Sequence, residues 1–327
     1  RDRLTNLLKQ YVSLLRQLID RAERGVDEIV LLYTHGQPAQ PSTLAHYLSA
    51  AIEFILNDID RIKFAHNLVN MSPMGAAAIT TSGFSLNRNR VAHLLGFPKI
   101  VENSYGAIAN VDYITGSYSA IKLGCLHLGR FVQDLVTWTG FEVSQIKVPD
   151  GFVQISSIMP QKRNPDAAEL IRAKPGRIFG NLMSLMTVLK GLPMTYGKDM
   201  QEDKEPIFDT ANTIEMCIIN MGGMIKDLEP IPKNMIDALQ KGFPTATDLA
   251  DFLVTNLAIP FRDAHYLTGK IVLLAEEKKC TLESLLLKDI QKIIPTADTQ
   301  ILKVLKIKNS VSSRNSYGGT APKNVLK

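Results

Sequence analysis

Apolar residues return at three- and four-residue steps over long stretches of this chain. That period commits it to amphipathic helices that bury one face against each other. Leu7, Leu8, Tyr11, Val12, Leu15, Leu18 and Ile19 form one such stripe. Lys9, Arg16, Gln17 and Asp20 fill the other face, and Gly25 is a stop. A short apolar stretch, 29–32, leads into a polar loop at Thr34-His35. A second stripe, Leu44, Leu48, Ile52, Ile55, Leu56 and Ile59, is opened by Pro41-Ser42, residue types suited to a helix start. The same period predicts long helices over about 109–140, 166–189 and 209–226, with Pro175 and Gly176 kinking the second of these rather than ending it. Residues 71–105 and 191–206 are turn-rich. Glu229-Pro230-Ile231-Pro232 reads as a boundary, and shorter helices are expected beyond it, near 235–241, 247–257, 261–278 and 281–294. The expected architecture is all-α: a long-helix bundle over residues 1–232 and a small C-terminal helical domain over 233–327.

Composition narrows the function classes. A chain of 327 residues with 45% apolar and 21% charged residues is long enough for a large core. The net charge of +5 is spread along the chain and lacks the basic, aromatic-interleaved blocks of nucleic-acid readers. It suits a carboxylate-rich substrate. Cys125, Cys217 and Cys280 are far apart with no C-x-x-C, which argues for reduced thiols in a cytoplasmic protein and against a zinc site or a disulfide framework. No apolar run reaches membrane-spanning length, no secretory signal is expected, and glycine-rich nucleotide fingerprints are absent.

The densest chemistry lies in Ile155-Ser156-Ser157-Ile158-Met159-Pro160-Gln161-Lys162-Arg163-Asn164-Pro165. Two hydroxyls, an ammonium and an amide sit within nine residues, with no apolar period to make them core. A hydroxyl can take a proton when a nearby cation stabilises its alkoxide, and an ammonium with an amide can hold a carboxylate. An arbitrary Ser/Pro turn would be only a solvated loop, but this full spacing is rare by chance. Spacing alone does not separate Ser156 from Ser157. A second cluster is Thr34-His35-Gly36-Gln37-Pro38-Ala39-Gln40-Pro41, where a histidine able to act near neutral pH is flanked by a hydroxyl and amides. A lone loop histidine is more often a plain surface residue. Glu169, thirteen residues after Ser156, suits a helix N-terminus on its own account. The stretch 192–206 reads by composition as a solvated charge run.

The loop at 155–165 resembles the signature of the fumarase/aspartase superfamily, whose members release fumarate by β-elimination across a C–N or C–O bond. Within it the chain resembles the argininosuccinate lyases from near its start to Pro322. The resemblance implies roles. Ser156, the first serine of the pair, abstracts the proton with help from Lys162. Lys162 and Asn164 stabilise the carbanion-like intermediate. His35, in a segment similar to T-H-x-Q-x-A-Q-P and oriented by Glu169, assists proton transfer or carboxylate binding. Thr34 and Gln37 bind carboxylate. Leu192–Pro206 is similar to the family's L-P-x-x-Y-N-x-D-x-Q-E-D-K, in which Tyr196, Gln201 and Lys204 hold the amino-acid end of the substrate; Gly197 replaces the usual asparagine. Thr81–Arg88 and Asn103–Asp112 resemble two further family segments loosely, with Ser85, Asn87, Gly106 and Val111 departing. Gly242–Ala250 and Ser316–Pro322 resemble the family's C-terminal segments and read as capping and turn chemistry.

The resemblance further implies the substrate argininosuccinate, the products arginine and fumarate, a place in arginine biosynthesis, no metal or organic cofactor, and a homotetramer whose core is the long-helix bundle and whose sites are shared among subunits. The family's R-S-R-N-D motif, which precedes the first helix, is not among these residues. The expectation is a chain without the N-terminal region, supplying two of three site segments, a fragment that need not be active alone. Two alternatives stay open: another fumarate-releasing lyase, of the adenylosuccinate lyase or aspartase kind, and a non-catalytic structural relative of the delta-crystallin kind.

Overall fold

A computed structural model describes residues 1–327. It is helical apart from three short two-stranded sheets. In chain order come helix α1 (Asp2–Arg24), strands β1 (Ile29–Thr34) and β2 (Gln37–Thr43), helices α2 (Leu44–Val69), α3 (Arg88–Leu94), α4 (Gly106–Ala109) and α5 (Asp112–Thr139), then strands β3 (Ile146–Lys147), β4 (Gln154–Ile155) and β5 (Arg163–Asn164). Helices α6 (Asp166–Leu189) and α7 (Lys204–Lys226) follow, then β6 (Glu229–Pro230) and seven shorter helices: α8 (Pro232–Leu239), α9 (Ala246–Leu257), α10 (Phe261–Glu277), α11 (Leu287–Gln291), α12 (Thr299–Val304), α13 (Ile307–Ser313) and α14 (Pro322–Val325). No helix is long and apolar enough to cross a membrane.

The chain forms two compact units, each discontinuous in sequence. The first comprises residues 1–18, 51–138 and 148–227. Its core is built from one face of each long helix. Over residues 1–18 of α1 the buried residues are Leu4, Leu7, Tyr11, Leu14 and Leu18, an alternation of three and four that makes a narrow seam. The stripe expected from sequence was wider: Val12 and Ile19 fall to its side and are exposed at 37% and 38%. Tyr118, Ile121, Leu128 and Val132 of α5, Ile171 and Ile178 of α6, and Ile214, Ile218 and Met221 of α7 supply other buried faces. Helix α6 runs through Pro175 and Gly176 without ending. Arg177 and Asn181 of α6 both bond Asp209 of α7, the latter at 2.8 Å, and fasten the two helices together. The core also holds a charge: Asp58 is fully buried, and its carboxylate accepts from His127 Nδ1 (2.9 Å) and Arg61 (2.9 Å).

The second unit comprises residues 19–50, 139–147 and 228–327. Leu249, Leu253, Ala264, Ile271, Ile290 and Ile301 centre its core, drawn from α9 to α12. Ala258 takes a left-handed conformation at the C-terminus of α9, and Pro260 then starts α10. The expected helix over 281–294 is broken into a single 3-10 turn at 282–284 and α11. The hairpin of β1 and β2 also belongs to this unit. Residues 37–43 were expected as a loop and a helix start; they form a strand, and α2 opens later, at Leu44. The reason is local. Thr43 Oγ1 accepts the His46 amide at 3.1 Å, so Thr43 caps the helix in place of Ser42. Ser42 turns instead to the His46 ring (2.8 Å), whose Nε2–H reaches the carbonyl of Gly318 at 3.1 Å.

Candidate functional site

In the first unit the serine-rich loop is the tip of a small hairpin. Strand β4 pairs antiparallel with β5, Gln154 opposite Asn164 and Ile155 opposite Arg163. The Ser156 amide donates to Lys162 O (3.0 Å) and the Lys162 amide to Met159 O (2.9 Å), so residues 156–162 close on themselves. Inside this turn the Ser156 hydroxyl oxygen accepts two backbone N–H groups, from Ile158 (3.3 Å) and Met159 (3.1 Å). Donors aimed at a hydroxyl oxygen favour its charged form. Ile158 is 85% exposed and Lys162 is exposed, so the tip projects into solvent. Arg163 pairs with Asp150 and ties the hairpin back to the turn before it. Asn164, half-buried, sits at the end of β5, and Pro165 then leads into α6. Glu169 lies exposed in the first turn of α6, where a carboxylate also complements the helix dipole.

A cavity of about 660 Å³ in the same unit brings together Tyr196, Gln201 and Lys204. Its volume is in the range of small-molecule sites, roughly 300–1,000 Å³. Asn110, Tyr113, Leu189 and Met200 also line it. Lys204 is held by Asp203, a carboxylate only 3% exposed, and by the carbonyl of Met200 (3.4 Å). Burial, and then the charge of Asp203, push the Tyr113 phenol above its usual range, keeping it a neutral donor. Sequence reasoning passed over Asp203 and Tyr113. Asp203 stands inside the Q-E-D-K run, yet one carboxylate in a charged stretch carries no mark of burial.

His35 lies in the second unit, at the tip of the β1–β2 hairpin. Thr34 pairs with Gln37, which leaves His35 and Gly36 as a two-residue turn. Both have positive φ, 54° and 71°, the type I′ pattern that fits the strands' twist. Thr34, His35 and Gln37 are all exposed on this tip. The motif expected in a loop before a helix is therefore carried on a β-turn. The fold groups the ten candidates as three on this hairpin and seven in the first unit. Cavities of about 300, 400 and 510 Å³ in the second unit are lined by none of them. No group of three or more His, Cys, Asp and Glu side chains converges as a metal site would require.

Comparison with known proteins identifies the family. The family described as Lyase matches residues 1–180, and that described as Argininosuccinate lyase C-terminal matches residues 243–312. The chain is 43% identical over 327 residues to the argininosuccinate lyase of Bartonella bacilliformis, covering 100% of this chain and 70% of that one. It is 44% identical over 325 residues to that of Jannaschia sp., covering 99% and 68%. Among solved structures, an EDDS lyase in complex with formate superposes with a TM-score of 0.92 at 27% identity, covering 100% of this chain and 67% of that one. The class II fumarase of Schistosoma mansoni, at 17% identity and a TM-score of 0.76 over 92% and 65%, shares the fold. On the strength of whole-length identity to its members, this chain belongs to the argininosuccinate lyase family of the fumarase/aspartase superfamily and is a lyase.

Proposed function

We propose that the chain cleaves argininosuccinate to arginine and fumarate by β-elimination, with Ser156 as the base. The observation that carries this is the pair of backbone N–H groups from Ile158 and Met159 on the Ser156 oxygen. They offset the charge of an alkoxide there, and the Lys162 ammonium on the same tip adds to it. Ser156 then removes the proton from the succinyl carbon adjacent to the C–N bond. Lys162 and Asn164 hold the carboxylate on which negative charge develops. His35, with Glu169 as its orienting partner, assists protonation of the leaving guanidino nitrogen, while Thr34 and Gln37 bind carboxylate. Tyr196, Gln201 and Lys204 hold the amino-acid end, a reading supported by their common cavity. A solvent-exposed tip suits a base that closes over bound substrate and excludes water.

The working form is a homotetramer with sites shared between subunits. Leu170, Phe179, Met183 and Met186 of α6 and Met216 and Ile219 of α7 are exposed apolar side chains on long helices, the surface another copy would cover. Three free cysteines fit a reducing, cytoplasmic setting. The test is fumarate release, followed by ultraviolet absorbance, from argininosuccinate against adenylosuccinate, aspartate and malate. Turnover of argininosuccinate alone, with inhibition by arginine, supports the reading. Turnover of another of these substrates instead overturns it.

A further inference from the structure

The hairpin that carries His35 is gripped on both strands immediately behind its tip. Tyr33 of β1 and Pro38 of β2 stand opposite each other in register, one pair below Thr34 and Gln37. The Tyr33 hydroxyl accepts from Gln145 Nε2 at 3.2 Å. Gln145 is itself fixed: it is 1% exposed, and its backbone carbonyl accepts the Ile231 amide at 2.8 Å beside the β3–β6 pair. On the other strand Pro38 lies against Gly242. A methyl group built on Gly242 would come within 2.6 Å of Pro38 Cβ and 2.8 Å of Cγ, distances that force movement. Gly242 has φ of +73° and Phe243 +52°, so the chain turns sharply to present bare backbone to the proline ring. Turn chemistry alone would not need that closeness.

We propose that Gly242 and Gln145 are positioning residues for His35: together they set the height and tilt of the hairpin, and so the reach of the imidazole into the reaction. The assignment rests on the reading of His35 as a participant in proton transfer. The base of the hairpin is buried through Val30, Leu31, Ser42 and Thr43, whereas the two-residue His35–Gly36 turn is exposed, so the Tyr33–Pro38 pair is the last held point before the imidazole. A shift at the Tyr33–Pro38 pair is transmitted directly to the ring. Misplacing a catalytic group by about 1 Å costs on the order of 100-fold in rate.

The experiment is a double-mutant cycle on the enzyme in its working assembly, with argininosuccinate as substrate. Gly242→Ala is expected to lower kcat roughly 10- to 100-fold, with a smaller rise in KM from the displaced Thr34 and Gln37 of the same tip. Tyr33→Phe, which removes only the acceptor for Gln145, serves if Gly242→Ala fails to fold; about a three- to tenfold loss is expected from one hydrogen bond. In a His35→Ala background either change should cost less than about twofold in kcat, because the imidazole is gone, and any remaining effect on KM reports Thr34 and Gln37 on the same tip. Full additivity with His35→Ala, or unchanged kcat in both single variants while His35→Ala is slow, overturns the positioning role and leaves the role of His35 standing. An unchanged rate in His35→Ala overturns both.

Discussion

Replacing Ser156 by alanine tests the base assignment most sharply, because catalysis and stability should part company. Loss of a positioned general base costs roughly 10²- to 10⁴-fold in rate, about 2.7–5.5 kcal/mol of transition-state stabilisation. The fold loses little. The two N–H groups that now point at the Ser156 oxygen belong to Ile158, 85% exposed, and Met159, 42% exposed. Once freed they meet water, so the stability change stays under about 1 kcal/mol. For a chain of this size that corresponds to a Tm shift of no more than about 2–4 °C. Ser157→Ala is the internal control: its side chain is exposed and the two amides converge on its neighbour. Its rate is expected to stay within about threefold of the parent, as for a surface substitution. Fumarate release and thermal unfolding, measured on the parent and both variants, decide the matter. A loss of less than tenfold in Ser156→Ala, or a larger loss in Ser157→Ala, refutes the reasoning.

Three further outcomes follow from the same geometry. Asp203→Ala releases Lys204 from its buried partner and should raise KM for argininosuccinate by about tenfold, the worth of one charge-assisted hydrogen bond, with a smaller effect on kcat; steady-state kinetics measures it. The Asp58 carboxyl is raised above its ordinary value of 3.8 by burial, against the opposing hydrogen bond and charge of His127 and Arg61. A raised acid binds its proton more tightly in the folded state, so its contribution is most favourable below 3.8 and is lost as pH rises through the folded value. Asp58→Asn should flatten that part of a plot of urea midpoint against pH, and an unchanged slope counts against the assignment. Burial pushes Cys125 up to about 12 and Cys217 up to about 11, whereas Cys280 is partly exposed. Mild alkylation of the native protein at neutral pH should therefore label Cys280 first, read by peptide mass spectrometry, with Cys125 and Cys217 following only on unfolding.

How much of this was legible beforehand varies with the range of the interaction responsible. Helix α6 was placed at its observed ends because Pro165, the acidic first turn and the apolar period all act within a few residues. The stripe of α1 was read too wide: Val12 and Ile19 are apolar and correctly spaced, but which flank of a stripe is covered depends on what packs there. Strand β2 was missed because Pro41 and Ser42 suit a helix start equally well; pairing with β1, a partner several residues back, decided between the two. Ser156, Lys162 and Asn164 could be singled out from a crowded polar run. The direction of two backbone N–H groups toward one of two adjacent hydroxyls could not, since it depends on how the turn closes.

The sequence by itself determined the helical class, the spans of α5 and α6 to within a few residues, the family, and the short polar segments proposed to carry the chemistry, while α7 begins at Lys204, ahead of its expected start. The helices rest on periodicity, and the family on the resemblance of short motifs whose residues lie close together in the chain. Only the tertiary structure decided that Tyr196, Gln201 and Lys204 share a cavity with Tyr113, that Asp203 lies buried beneath Lys204, and that Gly242 and Gln145 brace the hairpin of His35. Those facts join residues tens to hundreds of positions apart. Burial and close approach between such residues are set by how whole elements pack, and no local pattern of letters records that.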